Sequence, residues 1–369
     1  MNRMKLGEIL SVKHGWAFKG EYFAEDGEQS ILTPGNFFEK GGFKPNNGKE
    51  RYYTGTYPKE YLCHKGDLIV AMTQQAEGLL GSTALVPENN KYLHNQRIGL
   101  ITCDEKRLNK LFAYYLFMTK SVREQLERSS SGTKVKHTSP EKIYDVEVEI
   151  PDVISQQKIA NLLWFIDEKI ANNNAINDNL SAMAYDIYMH IFSSKKPNAK
   201  LKDILTEAEK STVQVGEAKT SNGKYPFFTS GATILKWNEP FVDGRNCFLN
   251  TGGNADVKFY VGKAAYSTDT WSISAKSGMS DYLYLMLLSI KPELDQKFFQ
   301  GTGLKHLQKP LLKDRLIYVP EKMELKSFNR QVMPMFEIIS ENTRENHQLT
   351  SLRDWLLPML MNGQATISD

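Results

Sequence analysis

Between Val153 and Ser193 the chain contains neither proline nor glycine, and apolar residues return at alternating steps of four and three. Ile159, Leu163, Ile166, Ile170, Asn173, Asn177, Leu180, Ala184, Ile187 and Ile191 fall on one stripe. The same pattern recurs 169 positions later as Phe328, Val332, Met335, Ile339, Asn342, Asn346, Leu349, Arg353, Leu356 and Leu360. Each pattern predicts a helix of about 40 residues, roughly 60 Å long, whose seam asks for a partner helix. The simplest partner is the other copy; the alternative is that each helix packs on its own globular unit. Run antiparallel, the two helices place their mid-length asparagines opposite each other. Buried Asn costs stability but fixes register, because a slipped pairing leaves amides facing hydrocarbon. Pro197 helps end the first helix. In the second, Pro334 is expected to start a new segment or make a kink, Pro358 to disturb the last turns, and Gly363 to supply the stop.

The stretches before these helices read as mixed α and β. Asp67–Met72 and Arg97–Thr102 have the apolar runs of buried strands, and Leu108–Glu127 the period of an amphipathic helix. Asn246–Asn250 and Trp271–Ser274 are strand-like, and Asp281–Leu288 parallels the earlier helix. A short strand, Asp145–Ile150 or Arg315–Val319, precedes each long helix.

The chain is therefore one unit written twice. Gly132-Thr133-Lys134-Val135-Lys136-His137 reappears as Gly301-Thr302-Gly303-Leu304-Lys305-His306, four of six residues matching at an offset of 169. Near the start of each unit, Lys5-Leu6-Gly7-Glu8-Ile9-Leu10 matches Lys200-Leu201-Lys202-Asp203-Ile204-Leu205 at an offset of 195, so the interiors differ in length by 26 residues. A period this long is a domain duplication rather than a solenoid. The boundaries are a globular unit at 1–150, a central helix at 151–196, a second unit at 197–321 and a distal helix at 322–369.

Composition narrows the class. Of the 369 residues 41% are hydrophobic, enough for real cores and against disorder. No apolar run reaches the ~18 residues of a membrane span, and no apolar signal region follows Met1-Asn2-Arg3-Met4-Lys5. Cys63, Cys103 and Cys247 are scattered and fit no metal spacing, which reads as a reduced, cytoplasmic chain. The net charge of +3 is uneven: 21 Lys and Arg against 19 Asp and Glu in 1–150, and 16 against 13 in 200–321. Both helical segments are slightly acidic. The excess positive charge sits in the globular units, where phosphate neutralisation would need it.

Catalytic motifs are missing from the sequence. There is no Gly-rich adenosylmethionine loop, no Asn-Pro-Pro-aromatic methyltransferase motif, no phosphate loop and no His pair at metal spacing. Pro151-Asp152 with Asp167-Glu168-Lys169 fits a loose nuclease pattern. Asp167 and Lys169, two apart on a helix, face different directions, and the match is accidental. No catalytic residue, cofactor or metal is expected.

The arrangement resembles the specificity subunit of a type I restriction–modification enzyme across essentially the whole chain. The resemblance rests on the order domain, helix, domain, helix, and on Leu6-Gly7-Glu8-Ile9, Lys65-Gly66-Asp67-Leu68-Ile69, Asn95-Gln96, Ile150-Pro151 with Gln156-Gln157-Lys158-Ile159, and Tyr225-Pro226-Phe227-Phe228-Thr229-Ser230-Gly231. The second copy departs from it, with Leu325-Lys326 in place of the Gln pair and no clear Lys-Gly-Asp strand start. The resemblance implies an α+β chain with two mixed α/β target-recognition domains, a pseudo-twofold repeat and two long antiparallel coiled-coil helices. It implies that each domain reads half of a split site in double-stranded DNA, and that the helices set the gap. It further implies that the helices dock two methyltransferase subunits, that two motor–nuclease subunits join for cleavage, and that this subunit performs no chemistry itself. The competing class is a protein-interaction adaptor built on the same duplicated unit.

Candidate DNA contacts follow from where the copies agree and where they diverge. Lys134, Lys136, His137, Lys305 and His306 lie in the shared Gly-Thr element and suit phosphates, which position without specifying; a pure junction turn is the alternative. Gln74, Gln75, Asn95, Gln96 and Arg97 in the first unit are candidate base readers, as are Asn250, Thr251, Asn254 and Lys258 in the second. Asn and Gln bond adenine bidentately and Arg bonds guanine. The expected helix-pair seam is Ile166, Ile170, Asn173, Asn177, Leu180, Ile339, Asn342, Asn346 and Leu349.

Overall fold

The computed structural model describes residues 1–46, 48–133 and 135–367. The chain forms two compact units, one of Met1–Glu168 with the residues from Thr350 on, the other of Lys169–Leu349.

In the first unit a four-stranded antiparallel sheet is built from β1 (Leu10–His14), β2 (Leu68–Ala71), β3 (Thr83–Leu85) and β4 (Ile98–Cys103), in the order β1-β4-β2-β3. Leu68, Ile69, Val70 and Ala71 of β2 are fully buried, as an unbroken apolar run on a central strand requires. Against the sheet pack α1 (Lys110–Leu116) and α2 (Lys120–Ser129). The continuous helix expected over Leu108–Glu127 is thus two. Thr119 divides them: its hydroxyl donates to the Leu116 carbonyl (2.7 Å) and accepts from the Val122 amide (3.5 Å), ending one helix and capping the next. The long helix α3 (Val153–Phe192) follows.

The second unit repeats this plan. Strands β5 (Leu205–Glu207), β6 (Arg245–Asn250), β7 (Val257–Val261) and β8 (Thr270–Ala275) pair in the order β5-β8-β6-β7, and α4 (Ser280–Ser289) covers them. The chain then enters α5 (Lys322–Met361). Both units also hold a smaller sheet that periodicity did not reveal. In the first, Ser30–Ile31 runs parallel to Tyr92–Leu93; in the second, Tyr225–Phe228 runs parallel to Ala265–Tyr266. Strands of two to four residues are too short for alternation to show.

The repeated motifs have structural explanations. In Lys5-Leu6-Gly7-Glu8 the carboxylate accepts the Lys5 amide (2.8 Å), and in Lys200-Leu201-Lys202-Asp203 Asp203 accepts the Lys200 amide at the same distance. Both lysines also reach equivalent acids, Asp145 (2.9 Å) and Asp314 (3.2 Å). Gly132 and Gly301 hold positive φ, and a Cβ at either would fall 2.1 Å from the Val135 carbonyl oxygen or 2.7 Å from that of Leu304. The Gln pair absent from the second copy is a junction clamp. The wholly buried Gln156 accepts the Asn109 amide (2.9 Å) and donates to the carbonyls of Arg107 (3.0 Å) and Pro151 (2.8 Å). Its counterpart Leu325 is buried in an apolar core instead.

Each unit takes part of both long helices into its core. In the first, Ile159, Leu163 and Ile166 of α3 and Leu360 and Met361 of α5 are buried. In the second, Ala184, Tyr188 and Phe192 of α3 join Phe328, Val332 and Phe336 of α5, with Phe192 edge-on to Tyr282 at 5.1 Å. Burying the Leu, Ile, Val, Met and Phe side chains among them contributes roughly 1.5–3 kcal/mol each.

Within the second unit the two helices run antiparallel through two asparagine layers. Asn173, 1% exposed, donates to Asn346 (2.9 Å) and Glu345 (2.7 Å), and Asn342 donates to Asn177 (2.9 Å). In the first unit the helix pair meets through an ion pair, Arg353 to Asp167 at 2.7 Å, with the Tyr115 hydroxyl donating to the same carboxylate (2.7 Å). Asp152 accepts the Ser155 amide at the start of α3 (3.0 Å). Asp152 and Asp167 of the loose nuclease pattern therefore have structural partners. No new segment starts at Pro334: α5 is one helix through both Pro334 and Pro358. Both prolines, and Arg330 and Asp354 whose carbonyls lose an amide partner, are exposed, so water can satisfy what the ring displaces. Gly363, at φ +67°, ends the helix.

Candidate nucleic-acid interface

Three separate segments of the first unit converge beyond the ends of β2 and β4. Thr73 pairs with His137, its hydroxyl 3.1 Å from His137 Nδ1. The Gln74 amide donates to Lys136 (2.9 Å), and the Met72 amide to the carbonyl of Arg97 (3.0 Å). Thr138 donates to Met72 (3.0 Å). The fold thus brings Gln74, Gln75, Asn95, Gln96, Arg97, Lys136 and His137 onto one surface. Gln75, Gln96, Arg97 and His137 are exposed there, and Gln74 and Asn95 half-buried. Asn95 Oδ1 accepts the Arg97 amide (3.2 Å), which shapes its turn. Trp16 joins the surface: its carbonyl accepts the Gln96 amide (3.1 Å) and its ring stacks on Tyr61 at 6.1 Å. Lys134 lies outside the described residues.

The second unit builds the equivalent junction. Gly252 pairs with His306, the Gly253 amide donates to Lys305 (2.9 Å), and the Leu307 amide to Thr251 (3.0 Å). Asn254 and His306 are exposed and Thr251 is half-buried. Two assignments change here. Asn250 is 5% exposed, and its amide nitrogen is spent on the carbonyls of Ser230 (3.0 Å) and Asn254 (3.2 Å), so it shapes the loop rather than facing solvent. Lys258 donates to the Thr229 carbonyl (2.8 Å) and pairs with Asp256 (3.3 Å), so it too is internal.

The shared lysines also have acidic partners within the fold. Lys136 pairs with Glu127, and Lys305 with Asp295 (3.1 Å), each locally neutralised. These ties brace the Gly-Thr element against the helix behind it. The exposed histidines stay available, as does Arg97. Sequence reading missed the acids because Glu127 and Asp295 lie nine and ten residues from their lysines, with no helical spacing to signal the pairing. Asp256 did carry a signal, since it stands two residues from Lys258 at the start of a strand.

Among the described residues no group of His, Cys, Asp and Glu could hold a metal ion, and no helix is long and apolar enough to cross a membrane.

Two copies of an α+β unit, each presenting polar loops beyond one end of a sheet and each bound to long helices, define a duplicated recognition protein. Residues 1–182 match the model of the type I restriction modification DNA specificity domain. The chain is 22% identical over 301 residues to the specificity subunit of the type I restriction enzyme MjaIX of Methanocaldococcus jannaschii, covering 70% of this chain and 69% of that protein. It is also 22% identical over 168 residues to the MjaVIII specificity subunit of the same organism, covering 45% of this chain and 39% of that one. In fold it is similar to the crystal structure of a type I restriction–modification S subunit from M. genitalium, with a TM-score of 0.66, 16% identity, and coverage of 100% of this chain and 96% of that one. The chain is thus similar, in its first 182 residues and in fold, to the specificity subunits of type I restriction–modification enzymes.

Proposed function

We propose that each globular unit reads one half of a bipartite DNA site, that the helix pair sets the gap, and that the helices dock methyltransferase subunits. The observation that carries this reading is one strand order kept in both units while the loops at the equivalent sheet ends carry different exposed polar groups. Gln75, Gln96 and Arg97 are the base readers in the first unit, and Asn254 with Thr251 in the second. His137 and His306, at equivalent places in both, suit backbone contact, because two different half-sites share only their phosphates. Two methyltransferase subunits and two motor–nuclease subunits complete the assembly, and this subunit supplies recognition without chemistry. Apolar side chains left exposed on the helices suit protein docking: Phe165 (67%) and Trp355 (59%) in the first unit, Met183 (52%) in the second.

The same exposed residues favour the second reading, an adaptor that grips only proteins. Co-expression with a methyltransferase partner, followed by methylome sequencing, separates the two. The expected result is new methylation at a motif of two short defined halves around a fixed gap. An assembled complex that adds no methylation and shows no salt-dependent affinity for duplex DNA would establish the adaptor instead.

A further inference from the structure

The loop that carries Gln74 and Gln75 is held from behind by one guanidinium. Arg123 stands on α2, and every hydrogen bond it makes ends on a backbone carbonyl. Nε donates to Phe117 (2.6 Å), Nη1 to Gly78 (2.9 Å) and Leu80 (2.8 Å), and Nη2 to Glu39 (3.3 Å). Burial lowers its pKa to about 10, so the group stays charged at neutral pH. Holding a desolvated cation against carbonyls alone is costly where a neutral side chain could fill the space. What arginine adds is a planar five-donor fork, which fixes several acceptors at once.

The fixed acceptors close one end of an exposed stretch. Gln75, Ala76 and Glu77 are exposed. Gly78 and Gly81 hold left-handed backbone at φ +81° and +75°, and between them Leu79 and Leu80 are buried. A Cβ at Gly81 would fall 2.5 Å from Leu126 of α2, so this end of the loop lies directly on the helix. Arg123 bonds one carbonyl at the first glycine and one between the two. At its other end the loop is tied by the Gln74 amide to Lys136. The candidate readers span the gap between these ties.

The second unit meets the same requirement with other groups. After β6, Asp295 accepts the Ala255 amide (3.1 Å) and Lys291 pairs with Asp256 (2.8 Å). Lys291 and Asp295 follow α4 as Arg123 follows α1. The brace recurs at an equivalent place although its residues do not.

We infer that Arg123 is a positioning residue for target recognition: it sets the pose of Gln74–Glu77, and with it the fidelity at one half of the site, without touching a base. The inference rests on the proposed reading of this loop as a base-contacting element. The test uses the complex with its methyltransferase partner and DNA libraries carrying single changes in either half-site. Arg123→Lys keeps the charge and loses the fork; Arg123→Met loses both. The expected result is that discrimination falls about tenfold or more in one half only, for Lys as well as Met, the scale of a lost bidentate contact. Discrimination in the other half and the gap stay unchanged. Should the Met variant not fold, the Lys variant and the melting temperature of its complex decide. A uniform loss of affinity, with discrimination intact in both halves, would mark Arg123 as merely structural and overturn the inference. Gln74→Ala with Gln75→Ala provides the control. If that pair relaxes one half while the Arg123 variants leave it intact, the positioning role falls and the base-reading assignment stands. If neither relaxes either half, the loop does not read DNA and both assignments fall.

Discussion

Gln156 shows how one side chain can hold a junction. It satisfies one backbone donor and two acceptors between α3 and the first globular unit. Gln156→Ala leaves them unpaired, and a destabilisation of about 2–3 kcal/mol is expected in chemical denaturation of the chain. A loss under about 0.5 kcal/mol, the scale of an ordinary surface substitution, would show the clamp to be dispensable. Asp281 predicts a pH effect. It is fully buried; burial raises its pKa to about 6, with Arg245 at 2.5 Å pulling the other way. The folded chain therefore binds this proton more tightly than the unfolded chain, whose Asp titrates near 3.8. The resulting penalty is absent at low pH, grows as pH rises through 4 to 6, and is complete above that. Relative to Asp281→Asn, the parent should lose stability across that window as pH rises. Parallel stability–pH curves for the two proteins would contradict this.

At the scale of elements, the asparagine layers trade stability for register. Replacing Asn173 and Asn346 together by Leu removes a polar pair from the seam and should raise the melting temperature. It should also admit slipped or self-associated species, visible by size exclusion with light scattering. A double variant that melts higher yet stays a single species would show that register is set elsewhere, for example by the Lys169–Glu345 pair (3.3 Å). Asn173→Leu alone is the harsher change, since it strands the Asn346 carbonyl oxygen, at a cost of about 1–3 kcal/mol. The prolines of α5 belong to this scale too. Their missing amides mark them as breaks, but they and the residues one turn before them lie on the exposed side of the helix, which continues through both.

At the scale of the whole molecule the proposal makes the helix pair a ruler. Deleting one heptad from both helices together removes about 10 Å, or about three base pairs of gap, at 1.5 Å per residue and 3.4 Å per base step. Methylome sequencing of the shortened subunit with its methyltransferase partners should return the same two half-sites closer together. Modification of the parental site by that complex would end the ruler model.

Much of the architecture was legible from residues alone. A 3.5-residue period from Ile159 to Ile191 and again from Phe328 to Leu360, two asparagines per seam and a duplicated frame determine the long helices and the repeat, because these features depend on local spacing. The Gly-Thr-x-x-Lys-His element was visible as shared, and its placement next to the variable loops was not. That placement joins Thr73 to His137 and Gly252 to His306, segments far apart in sequence. Tertiary structure alone decided which polar residues remain for a ligand. Lys136 and Lys305 are matched by Glu127 and Asp295, Asn250 is buried, and Gln75, Gln96, Arg97 and Asn254 stay exposed. The physical reason is that charge and hydrogen-bonding capacity are properties of a residue, whereas their availability depends on partners that only folding brings within hydrogen-bonding reach.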